Sequence, residues 1–79
     1  MTLADGFEDA FIGIADVVGR PSLAAYDRDK CVEILITRDG MTHEDAEECF
    51  EFNVAGAFVG EDTPIYITMA ALAAVDMTQ

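Results

Sequence analysis

Leu3, Phe7, Ala10, Phe11, Ile14 and Val18 recur at spacings of three and four. That stripe predicts a helix at the start of the chain. Thr2 is placed to cap it, and Asp5, Glu8 and Asp9 suit its positive end. Gly19-Arg20-Pro21 ends the pattern. Gly6 and Gly13 fall inside it, and each weakens a helix by up to about 1 kcal/mol.

Ser22 to Tyr26 is short and reads as a strand. Asp27 then looks like an N-cap for a helix from Arg28 to Arg38, with Cys31, Ile34 and Leu35 inward and Val32 beside them. Asp39-Gly40 breaks it. Thr42-His43-Glu44-Asp45 resembles a capping box and opens a third helix that is expected to run through Val54. At about 100° per residue, Ala46, Cys49, Phe50, Asn53 and Ala57 share one side of it. Glu44, Glu47, Glu48 and Glu51 share the other.

Glu61-Asp62-Thr63-Pro64 is a turn, and the alternating Ile65 to Met69 predicts a strand. The expected fold is α+β in the order α-β-α-α-β. Three helices would pack on a two-stranded ribbon of Ser22–Tyr26 with Ile65–Met69. An all-α arrangement is the alternative, because both strands are short. Residues 1–79 read as one small domain, with 70–79 a short helix or a loose tail.

Charge changes this picture. The net charge is −12, yet 52% of the residues are hydrophobic, which excludes a disordered acidic tail. From Asp39 onward there are nine carboxylates and no Lys or Arg. A folded element with a dense negative face repels nucleic acid and anionic lipid and attracts basic surfaces. No apolar run approaches the roughly 18 residues of a membrane span, and no secretory leader pattern is present. A cytoplasmic protein with reduced thiols is expected.

Chemistry is sparse. His43-Glu44 begins like a zinc-protease helix, but the second histidine that motif needs is Glu47. Cys31, Cys49 and His43 are too few and badly spaced for structural zinc. Asp27 to Cys31 fails as a calcium loop. There is no phosphate loop and no nucleophile elbow, and Ser22 is the sole serine. No enzyme, metal or cofactor is expected.

The candidate site is therefore a binding face made of Glu44, Asp45, Glu47, Glu48, Glu51 and Phe52. The acids would supply charge complementary to a basic nucleic-acid channel on a partner protein or nucleoprotein. Phe52, an aromatic set among carboxylates, would supply an apolar anchor. The plain alternative is a solvated helix face, with Phe52 packed under the first helix or against a second copy. Phe58 poses the same question further along.

Tyr26-Asp27-Arg28-Asp29-Lys30-Cys31-Val32-Glu33-Ile34-Leu35, Arg38-Asp39-Gly40-Met41-Thr42, the run from Glu47 to Gly60, and Thr63-Pro64 together resemble a family of small uncharacterised proteins encoded by phages and prophages. The likeness spans roughly residues 26 to 67 and departs at Cys49 and Phe58, where the family often has bulkier aromatics. It implies no catalytic residue. It does imply a phage protein acting in the host cytoplasm. Small acidic proteins of that kind are often anti-defence factors, anti-CRISPR proteins among them. The expected role is then inhibition of a host defence complex. The competing role is a self-assembling accessory protein, a homodimer for instance, with Phe7, Phe11 and Ile14 at its interface.

Overall fold

The computed structural model describes residues 1–56 and 60–70. Ala57, Phe58 and the Ala-rich end from residue 71 onward lie outside the described residues.

The class is α+β, but the arrangement corrects the expected one. Two α-helices pack on a three-stranded mixed sheet, where three helices on a two-stranded ribbon were expected. The presence of the sheet also removes the all-α alternative.

The difference begins at the N-terminus. In place of a helix there is a 3₁₀ turn, Glu8–Ala10, followed by a strand, β1, Phe11–Ala15. Gly6 (φ 90°) and Gly13 (φ 153°) both adopt positive φ, which an α-helix does not admit. Ile12 and Ile14 are β-branched and Phe11 is aromatic, so local propensity favours a strand once the helix is interrupted. Of the stripe that suggested a helix, only Phe7 and Ala10 are buried. Gly6 also meets the end of the Arg38 side chain. Arg38 donates to its carbonyl at 3.0 Å, and a Cβ there would lie 2.9 Å from Arg38 Nη1.

Strand β2, Leu23–Asp27, is central. It pairs antiparallel with β1, with a bulge between Phe11 and Gly13. The connection is closed by a hydrogen bond from the Ser22 hydroxyl to the Asp16 carboxylate. On its other side β2 pairs parallel with β3, Ile65–Ile67. The two segments read as strands are thus neighbours, as expected, though in parallel. Parallel neighbours need a long crossover, and the helices supply it.

Helix α1, Arg28–Asp39, has the caps that its sequence implies. The Asp27 carboxylate accepts from the Lys30 N–H at 3.2 Å, and Gly40 closes the other end at φ 69°. Cys31, Val32 and Leu35 are buried against the sheet, and Ile34 is half-buried. Helix α2, His43–Cys49, opens with Thr42 accepting from the Asp45 N–H at 3.1 Å. It then widens into a π-helical segment, Phe50–Ala55.

One aromatic chain organises the core. Tyr26 packs edge-on to Phe11 at 5.6 Å and lies 5.9 Å from Tyr66, whose ring meets Phe50 edge-on at 5.0 Å. The Tyr26 hydroxyl accepts from the Ala4 N–H at 2.8 Å and so ties the N-terminal segment to β2. Tyr26→Phe should keep the ring packing and lose that bond, at about 1 kcal/mol, read as a lower urea midpoint with an unchanged slope.

Candidate functional site

The acidic face is carried by α2 and the π-helical segment, and the change of winding between them decides what it presents. Continued α-helical winding would put Asn53 on the buried side with Ala46, Cys49 and Phe50. Wider turns rotate the later residues. Phe50 stays buried, at 1% exposure, whereas Phe52 is 75% exposed and Asn53 is exposed. The Asn53 amide donates to Cys49 Sγ, one turn earlier, at 3.7 Å.

Gly56 ends the wide turns. A Cβ there would lie 2.9 Å from the Glu51 carbonyl oxygen and 3.2 Å from that of Phe52, so the backbone closes tightly at this point.

All six candidate residues lie on one side of the molecule. Glu44, Glu47, Glu48, Glu51 and Phe52 line one shallow depression, together with Arg28. Asp45, Glu48, Cys49, Phe52 and Asn53 line a second. Phe52 and Glu48 belong to both, so the aromatic ring stands on the ridge between them. The alternative in which Phe52 packs under the N-terminal segment does not hold in this structure.

The five carboxylates are not equivalent. Arg28, the first residue of α1, reaches across to Glu47 at 2.9 Å and Glu51 at 2.6 Å. Its guanidinium also lies over the Phe50 ring, 5.0 Å from the centroid. Arg28 thus joins the start of α1 to the widened segment and neutralises two of the acids. Glu44, Asp45 and Glu48 are exposed and have no ion-pair partner among the described residues. The face offers a negative rim of three free carboxylates around Phe52.

This role of Arg28 was missed in the sequence. The available signal was a cation at the first position of a helix, where the dipole disfavours it. Such a residue has reason to find an acidic partner elsewhere in the fold.

The hydrogen bonds from Arg28 hold the Glu47 carboxyl below its ordinary value of 4.5. Donating to Glu47, and then to Glu51, pushes the Arg28 guanidinium further up. A carboxylate with a depressed folded pKa adds stability that is fully present above its unfolded pKa. That contribution is lost as pH falls through the folded value. Melting temperature should therefore drop as pH falls below about 4.5. In Arg28→Gln the acid limb should be shallower, which thermal melts from about pH 6 to about pH 3 will show.

Burial pushes the Cys31 thiol up to about 11, which makes it a poor nucleophile near neutral pH. Both cysteines are free thiols. Among the described residues no group of His, Cys, Asp and Glu is placed to hold a metal ion, and no helix is long and apolar enough to cross a membrane.

Comparison with protein-family models, with curated proteins and with solved structures gives no match.

Proposed function

We propose that this chain is a non-enzymatic binding protein whose acidic face docks on a basic surface of a protein or nucleoprotein partner. The observation that carries the proposal is Phe52. It is a large aromatic residue, 75% exposed, on the ridge of a face rimmed by Glu44, Asp45 and Glu48. Leaving such a ring in water has an apolar cost that burial in a partner would recover, and aromatic anchors dominate interface energetics. The free carboxylates would steer the encounter and set its salt dependence.

Nucleic-acid channels are basic surfaces that hold Lys and Arg for phosphates, and a complex with such a channel is the preferred partner. The likeness to phage-encoded proteins extends the proposal to inhibition of a host defence complex of the anti-CRISPR-targeted kind, within the host cytoplasm. Glu47 and Glu51 enter this reading differently from the other acids. Their link to Arg28 shapes the segment that presents Phe52, so reversing Glu47 would disturb the fold as well as the charge.

The test is capture of partners from host lysate on the immobilised chain, at low and at high salt, after nuclease treatment. One nucleic-acid-binding complex retained at low salt and released at high salt is the expected result. Retention that is indifferent to salt would remove the electrostatic part of the proposal.

A further inference from the structure

The geometry points to a second binding element: the free edge of β1, which pairs with the same strand of a second copy of this chain. β1 is an outer strand, hydrogen-bonded to β2 on one side only. Among the described residues nothing pairs with its other edge. An open strand edge presents unpaired N–H and C=O groups, and the occupant that satisfies them is another strand.

The side chains select a copy of the same strand. Phe11, Ile12 and Ile14 are all exposed although apolar, as are Val17 and Val18 just beyond the strand. Phe11 aligns with Tyr26 and Ile14 with Ala24, so both lie on the sheet face that meets the helices. A two-fold antiparallel pairing of Phe11–Ile14 with itself sets Phe11 opposite Ile14 of the second copy, twice. That is an aromatic to β-branched cross-strand pair on a shared face, and two-fold symmetry supplies it in duplicate.

The usual guards of an edge are few here. The segment from Phe11 to Ala15 contains no Lys, Arg or Pro, and only the bulge at Ile12 disturbs it. Among the described residues the buried core is also thin: of ten buried apolar residues, four are alanines (Ala10, Ala24, Ala25, Ala46). Small domains with so little buried volume gain from burial against a second copy.

Charge opposes this association, which fixes its signature. Asp9 and Asp16 flank the strand and approach their counterparts across the two-fold pairing, and each copy carries −12. Salt screens that repulsion and strengthens the dimer. The acidic-face reading has the opposite salt dependence, so the two stand or fall separately.

The experiment is sedimentation equilibrium of the full chain over a range of concentrations, at low and high salt, with hydrogen exchange on the same samples. The expected result is a monomer–dimer equilibrium that tightens with salt, and amide protection at residues 11–15 that rises with protein concentration. Ile14→Lys lowers the net repulsion but removes the apolar pair. It should raise the dimer dissociation constant by about tenfold or more while circular dichroism is unchanged. Asp16→Asn should lower it. A monomer at every concentration and salt would overturn the proposal. So would a dimer indifferent to Ile14→Lys. Protection at 11–15 that does not depend on concentration would also overturn it, since the chain's own residues would then cover the edge.

Discussion

Phe50→Ala will cost about 3–5 kcal/mol of folding stability, the range for emptying a buried aromatic site. A chain of this length is expected to have only about 4–12 kcal/mol in total, at about 0.05–0.15 kcal/mol per residue. The variant should therefore be largely unfolded or close to it at 37 °C. The size of the effect follows from what meets at Phe50. Its ring is 1% exposed, packs edge-on to Tyr66 of β3, and carries the Arg28 guanidinium on its face. Removing it loosens α2, the central aromatic chain and the Arg28 link together. Urea titration followed by circular dichroism will show a collapsed or absent transition.

The second large effect lies two residues away and has the opposite character. Phe52→Ala should change stability by no more than about 0.5 kcal/mol, because an exposed ring contributes little to the folded state. It should nevertheless weaken partner binding by about thirtyfold or more, which is what losing a hot spot of about 2 kcal/mol means. Glu44→Lys combined with Glu48→Lys should act on the same interaction through a different term. Both residues are free of ion pairs among the described residues, so no tertiary pair is lost, and a lysine at 44 in the first turn of α2 costs about 0.3–1 kcal/mol through the helix dipole. Association should slow steeply and lose most of its salt dependence. Two adjacent aromatics, one controlling folding and one controlling binding, is a sharp expectation. Loss of binding in Phe52→Ala with an unchanged urea midpoint would establish it.

The sequence made parts of this legible because the physics there is local. Asp27, Gly40 and Thr42 are caps, and capping depends on residues within one turn, so α1 and the start of α2 could be read directly. The strand at 65–67 was recognisable from the β-branched and aromatic alternation of 65–69, and the short segment 22–26, read as a strand, overlaps the one at 23–27. The N-terminal segment misled because its apolar spacing fits a helix while its backbone is governed by Gly6 and Gly13. Gly6 is held at positive φ and its carbonyl accepts from Arg38, thirty-two residues away, a contact that no local pattern carries. The third strand follows from the same error, since Phe11–Ala15 became available for the sheet only once the helix failed.

The acidic face was visible as a composition, and its members do share one side of the molecule. The partition within it was not visible. That Arg28 takes up Glu47 and Glu51 and leaves Glu44, Asp45 and Glu48 free depends on how α1 crosses α2. The exposure of Phe52 agrees with its place among the carboxylates at about 100° per residue, whereas Asn53, expected on the inward side, is exposed in the widened segment after Cys49.

One comparison decides whether Phe52 and the free carboxylates around it form a docking surface. Wild type and Phe52→Ala, matched in urea midpoint, are immobilised side by side and exposed to the same host lysate at low salt. Wild type is expected to retain a nucleic-acid-binding complex, and Phe52→Ala is expected not to. Equal retention of the same complex by both would contradict it.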